Sequence, residues 1–285
     1  MICQEFDYFA PSTVGDALAL LADPEAKILA GGMSLVPMMK LRLAAPAKLV
    51  DLRGIASLRS IKRVGQTIEI GAMVTHYEIE SAPLVRSACP LMAQSAGAIG
   101  DVQIRNAGTI GGSVAHADPA ADYPAALQAL EARVRLTGPG GDRELRFEEF
   151  LVDTFTTALE PGELVTALIV PVEPESSGTH YQKHAQPASG FPMVGVAARV
   201  QRADGQISFA RIGVTGVSGK GYRARNVEER LVGSQGSEAE IEAAAQLAAE
   251  GVEVNADIHA SAKYRAHLAR VATARAIRSA LARAR

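Results

Sequence analysis

Ala30-Gly31-Gly32-Met33-Ser34-Leu35-Val36-Pro37-Met38-Met39 follows a short apolar run, Lys27-Ile28-Leu29-Ala30, that reads as a buried strand. Beyond the glycines Ser34 can cap a helix and Pro37 suits its first turn. This is an anion-binding arrangement. Glycine lets the chain bend sharply and lie against a ligand with no Cβ in the way, while the unpaired amides of a helix start offer donors and partial positive charge to phosphate oxygens. A second stretch, Thr109-Ile110-Gly111-Gly112-Ser113, repeats the pattern after the apolar Val102-Gln103-Ile104-Arg105. Asp118-Pro119-Ala120-Ala121-Asp122 then leads into the helix-like Tyr123–Leu130, and Asp122 can either cap that helix or accept hydrogen bonds from ligand hydroxyls. A Gly-Gly pair alone is ordinary turn punctuation. Two of them, each ahead of a helix start, point to one large phosphorylated ligand.

The familiar nucleotide motifs do not account for these loops. No G-x-G-x-x-G occurs, and Gly219-Lys220 lacks the earlier glycine of a P-loop and is followed by Gly221. The six histidines, His76, His116, His180, His184, His259 and His267, show no H-E-x-x-H spacing, and His116 with Asp118 reads as a loop contact beside the ligand site. Ser34 and Ser113 have no local base and no G-x-S-x-G elbow, so capping or phosphate contact suits them better than nucleophilic attack. No catalytic and no metal-ligating residue is assigned. Cys3 and Cys89 cannot ligate an iron–sulfur cluster that needs four thiolates.

A chain of 285 residues exceeds one compact core of ordinary size, and with two or three domains buries roughly three-quarters of its unfolded surface. A net charge of −2 with 21% charged residues argues against a nucleic-acid surface. The basic stretch in the last helix, Arg265, Arg270, Arg275, Arg278, Arg283 and Arg285, reads as its solvated or partner-facing side. The start, Met1-Ile2-Cys3-Gln4-Glu5-Phe6-Asp7-Tyr8, lacks a secretory pattern, and no apolar run reaches the length of a membrane span, so a cytoplasmic location is expected.

Three segments emerge along the chain, 1–55, 56–175 and 176–285. In the first, Thr13 and Asp16 can cap a helix over Ala17–Leu21, and Lys48-Leu49-Val50-Asp51-Leu52 reads as a closing strand. In the second, residues 60–64 and 67–71 alternate like a hairpin around Gly65-Gln66, and Pro90 to Ile99 reads as a helix. The last boundary falls in the loop-like Val172–Gly178. Beyond it Gly195–Val200 and Ile207–Val214 read as antiparallel strands, and alanine-rich helices follow from Ser237 and from Ala260.

Taken together, Ala30 to Leu43 (A-G-G-x-S-L-x-P-x-M-K-x-R-L), Gln103 to Gly112 (Q-I-R-N-x-G-T-I-G-G) and Ala117 to Asp122 (A-D-P-x-x-D) resemble the FAD-binding medium subunit of the molybdenum hydroxylases, of the carbon monoxide dehydrogenase medium-chain type. The similarity continues through Glu160–Leu164 and Tyr181-Gln182-Lys183 to Tyr264-Arg265. The resemblance implies an α+β fold of the vanillyl-alcohol-oxidase/PCMH type, with two subdomains clasping FAD and a C-terminal α+β domain closing over it. It assigns FAD contacts to Ala30, Gly31, Gly32, Met33, Ser34 and Leu35, to Ile99, and to Thr109, Ile110, Gly111, Gly112 and Ser113. It adds Asp122 at the sugar portion of the cofactor, Leu164 and Lys183 along the cavity, and Phe191 against the isoalloxazine ring. This sequence departs from the commoner pattern at Met33, where His or Gln is frequent, at Ser113, where Asn is usual, and at Phe191, where Tyr occurs. His184–Ser189 also lacks the basic residues of many relatives.

The implied function is electron transfer. Substrate is oxidised at molybdenum on a large subunit, electrons pass through 2Fe-2S clusters on a small subunit, and FAD on this chain delivers them to an external acceptor, in an assembly expected to be a dimer of heterotrimers. Carbon monoxide, purine, nicotine-like and aldehyde enzymes share this type of chain, so the substrate stays open. Two rival readings are a free-standing flavin dehydrogenase or oxidase, which requires a substrate base beside the ring, and a non-catalytic binding protein whose loops no longer hold flavin.

Overall fold

The computed structural model describes residues 2–285. A small parallel sheet near the N-terminus is ordered Asp7–Phe9, Lys48–Asp51, Ala26–Leu29. Helix Val14–Leu21 covers it through Ala17, and the Thr13 hydroxyl caps that helix by accepting from the Asp16 amide at 3.1 Å. This is the cap expected from the sequence.

Hairpin Ile61–Val64/Thr67–Gly71 forms one side of a five-stranded antiparallel sheet whose central strand is Leu164–Pro171. Strands Arg133–Gly138 and Gly141–Arg146 complete the other side. Ile68, Ile70, Val134, Leu136, Leu168 and Val170 supply this sheet's part of the largest core, against helices that carry Ile79, Leu91, Met92 and Leu127. A four-stranded antiparallel sheet, Gly178–Ala185, Pro192–Ala203, Gln206–Thr215 and Tyr222–Arg223, follows. Helices Arg225–Leu231, Glu238–Ala245 and Ala262–Leu281 share its separate core, so the alanine stripes are packing surface.

Two expectations are corrected here. Val102–Ala107 is a helix, because the Asp101 carboxylate caps it by accepting from the Ile104 amide at 2.8 Å. The arginines of the last helix do not form one solvated face. Arg265 is buried, donates to the carbonyls of Met193 and Gly216 at 2.8 Å each, and pairs with Asp257. Arg278 pairs with Glu238 and Glu242, and Arg283 donates to the Thr179 carbonyl at 2.8 Å. Arg270, Arg275 and Arg285 stay exposed.

Candidate functional site

The two glycine loops lie against each other. A Cβ on Gly31 would sit 2.2 Å from the Ala107 carbonyl oxygen and 2.7 Å from Gly108 Cα, and one on Gly112 would sit 3.4 Å from Ala30 Cβ. Gly31 is therefore a glycine because the loops touch there. The expectation that its missing side chain makes room for ligand is corrected. Gly32 has a different reason, a φ of 74°.

The loops differ in what their amides do. Among the described residues the amides of Gly31, Gly32, Met33, Ser34 and Leu35 donate to no protein acceptor, and the Ser34 side chain makes no capping bond. Five adjacent free donors around a left-handed glycine are suited to phosphate oxygens. In the second loop the expected free amides are consumed. Ile110 donates to the Val74 carbonyl at 3.0 Å, Gly111 to the Ala72 carbonyl at 2.9 Å, Gly112 to the Thr109 hydroxyl at 3.2 Å and Ser113 to the Thr109 carbonyl at 3.0 Å. For Ile110 and Gly111 the reason is tertiary, since the chain leaving strand Thr67–Gly71 pairs with this loop, including a bridge from Thr75 to Thr109; Gly112 and Ser113 bond locally to Thr109, which caps the helix Ile110–His116. A Cβ on Gly111 would meet Ala72 Cβ at 2.5 Å, so that glycine also answers to protein packing. The Ser113 hydroxyl makes no protein hydrogen bond among the described residues.

Beneath the seam lies His76, which the sequence did not single out. Its amide donates to the Gly108 carbonyl at 3.0 Å, and its Nδ1 shares a 3.0 Å hydrogen bond with the buried Tyr123 hydroxyl. Gly108 must be a glycine because a Cβ would sit 2.7 Å from His76 Nε2. Burial, with the nearby Arg105 charge adding to it, pushes the imidazole down to about 4, so it is neutral at pH 7.

Asp122, Lys183, Ile99 and the Phe191 loop come together on the other side. The Asp122 side chain makes no capping bond to its helix, so the cap alternative is dropped. Its Oδ1 accepts from the Tyr181 hydroxyl at 2.7 Å and from Lys183 Nζ at 2.8 Å, and Lys183 also reaches Oδ2 at 3.0 Å. Burial raises the Asp122 carboxyl to about 6, against the opposing pull of Lys183 and then Tyr181. Lys183 Nζ donates to the Ala98 carbonyl at 2.7 Å, and Arg105, itself paired with Glu80 at 2.9 Å, donates to the Ile99 carbonyl at 3.0 Å. Gly190, in the turn before Phe191, packs on Gly100. Phe191 is 46% exposed, free to stack on a planar group. Leu164 is buried at the start of the central strand, two residues before Thr166, whose carbonyl accepts from the Ala72 amide at 3.0 Å. His116 packs its ring against Phe155 at 5.1 Å, and the Asp118 carboxylate turns back to the Ala120 amide.

Free amides suited to phosphate, a buried carboxylate and an exposed aromatic between two strands are groups that a flavin nucleotide would call on. Comparison with known proteins gives the class. The family described as "FAD binding domain in molybdopterin dehydrogenase" matches residues 4–173, and "CO dehydrogenase flavoprotein C-terminal domain" matches residues 179–280. The chain belongs to this family, that of the FAD-carrying medium subunits of molybdenum hydroxylases. It is 38% identical to the carbon monoxide dehydrogenase medium chain of Hydrogenophaga pseudoflava, with 99% of each chain covered. It is also 38% identical to the 6-hydroxypseudooxynicotine dehydrogenase complex subunit alpha of Paenarthrobacter nicotinovorans, covering 98% of this chain and 96% of that one. A solved structure of the Hydrogenophaga pseudoflava carbon monoxide dehydrogenase, in a form lacking the Mo-pyranopterin moiety, superposes with a TM-score of 0.97 at 38% identity over all of both chains.

Proposed function

We propose that this chain holds one FAD with its pyrophosphate on the amides of Gly31 to Leu35, its sugar portion toward Asp122 and its ring toward Ile99 and Phe191. The observation that carries the assignment is the row of five amides with no protein acceptor, a donor set that fits a pyrophosphate. Ala30, Thr109, Ile110, Gly111 and Gly112 build the wall behind it, Ser113 offers a free hydroxyl, and Leu164 and Lys183 border the cofactor. Bound FAD supplies the ability to accept electrons and release them to an acceptor, and the protein's share is to bind, orient and shield it. The charged groups around the site serve that share. Asp122 is tied to Lys183, Glu80 to Arg105, and neutral His76 to Tyr123, which leaves no free base poised for substrate chemistry among them.

The three larger sheets, which fall in turn within 1–55, 56–175 and 176–285, support two FAD-binding subdomains followed by a C-terminal domain. The partners we propose are a molybdenum-binding large subunit and a 2Fe-2S small subunit, in a dimer of heterotrimers in the cytoplasm. The relatives' descriptions as medium chains and complex subunits support the multi-subunit reading. Among the described residues no helix is long and apolar enough to cross a membrane. Titrating flavin-free chain with FAD tests the assignment. Saturation at one FAD per chain with a shifted flavin spectrum is expected, and no uptake at micromolar concentrations overturns it.

A further inference from the structure

The FAD-domain match ends at residue 173, yet the carboxylate we place at the cofactor's sugar portion is held from beyond that point. Both side chains that bond Asp122, Tyr181 and Lys183, stand on the strand Gly178–Ala185 of the following sheet. Lys183 divides its donors between Asp122 and the Ala98 carbonyl. Among the described residues Tyr181 gives its hydroxyl to Asp122 alone. Its position is fixed from several sides: its amide donates to Gln94 Oε1 at 3.1 Å, and its ring end lies over Gly195, where a Cβ would come within 2.4 Å of the hydroxyl. The space for the hydroxyl is thus left open by a glycine on the neighbouring strand.

We propose that Tyr181 is a positioning residue for FAD retention, whose hydroxyl keeps the Asp122 carboxylate ionised and turned toward the cofactor, so that the C-terminal domain completes a site the FAD domain does not finish by itself. The inference rests on the assignment of Asp122 to the cofactor. A buried carboxylate is stable as an anion only while donors satisfy it. Lys183 and Tyr181 are the donors bonded to it. Tyr123 follows it in the chain with its own hydroxyl turned to His76, and the nearby Glu80–Arg105 pair is only half-buried. Removing one donor leaves the lysine to hold the charge, and protonation of Asp122 then competes at higher pH.

The test is FAD affinity of the full chain, measured by flavin fluorescence between pH 5 and 9, for wild type, Tyr181→Phe, Asp122→Asn and the double variant. Wild type is expected to lose FAD as the pH falls through about 6. Tyr181→Phe is expected to bind FAD roughly tenfold more weakly at pH 7, the size of one hydrogen bond to a charged group, with its midpoint moved upward and affinity recovering toward pH 9. In the Asp122→Asn background the tyrosine change should add nothing. Gly195→Ala, which displaces the hydroxyl without deleting it, should move the midpoint the same way and serves if Tyr181→Phe folds poorly. Asp122→Asn with wild-type affinity overturns the assignment of Asp122. Weak binding by Asp122→Asn together with an unmoved midpoint in Tyr181→Phe and Gly195→Ala, or a pH-independent loss, overturns the role of Tyr181 alone.

Discussion

Replacing Gly31 by alanine adds one carbon atom where the structure has no place for it. The new Cβ would lie 2.2 Å from the Ala107 carbonyl oxygen and 2.9 Å from its carbon, and both are backbone atoms that cannot rotate away. A carbon–oxygen contact settles at roughly 3.3 Å, so the loops must part by about 1 Å. Overpacking of this kind costs about 1–3 kcal/mol, which at about 2 °C per kcal/mol for a chain of this size lowers the melting temperature by roughly 2–6 °C. The larger effect falls on FAD, because the five free amides begin at this residue. Losing one hydrogen bond to a charged phosphate costs about 1.5–3 kcal/mol, or roughly ten- to a hundredfold in affinity. The assay is FAD content after gel filtration together with melting curves with and without added FAD. Gly15→Ala is the control: its Cβ would meet only Thr13 Oγ1 at 3.9 Å, inside helix Val14–Leu21, and a helical glycine replaced by alanine gains up to about 1 kcal/mol. Gly31→Ala with unchanged FAD content and melting temperature refutes the close-packed seam as the support of the phosphate site.

Gly111→Val should destabilise the folded chain with and without FAD, because its side chain meets Ala72 where the second loop pairs with the sheet; equal melting temperatures for variant and wild type would contradict this. His76 gives a pH signature. Its folded value of about 4 lies below the usual 6.5, so the unfolded chain binds the extra proton first, and stability present above pH 6.5 is lost as the pH falls to 4. The expected loss is about 3 kcal/mol. Denaturant melts of His76→Gln, which keeps a partner for Tyr123, should show a flatter dependence over that range, and parallel curves for variant and wild type would contradict the assignment.

Much of the local structure is legible in the sequence, the Asp101 cap and the uncapped Ser34 being exceptions, and non-local contacts decide the rest. The Thr13 cap, the Ile61–Val64/Thr67–Gly71 hairpin and the last helix each rest on neighbours a few residues apart. The fate of the Ile110 and Gly111 amides rests on carbonyls at Val74 and Ala72, more than thirty residues earlier in the chain, and nothing around Thr109 announces that pairing. Asp101 was legible as a cap in principle, but the apolar Val102 and Ile104 made the short segment resemble the strand ahead of the first loop. Arg265 looked like surface because its acceptors, two carbonyls at Met193 and Gly216, belong to a distant turn. The Tyr181–Asp122 bond spans 59 residues, so family motifs supplied both segments but only the fold shows that one holds the other.

The most direct test of the central claim, that this chain carries electrons for a molybdenum hydroxylase and performs no substrate chemistry itself, is anaerobic bleaching of its flavin. FAD-loaded chain is mixed with candidate substrates, carbon monoxide and organic compounds, first alone and then with the co-encoded large and small subunits, and absorbance near 450 nm is followed. The account predicts an unchanged flavin spectrum for the chain alone and bleaching once the molybdenum and iron–sulfur subunits are present. Rapid bleaching by substrate with this chain alone would contradict it and establish a free-standing flavin dehydrogenase.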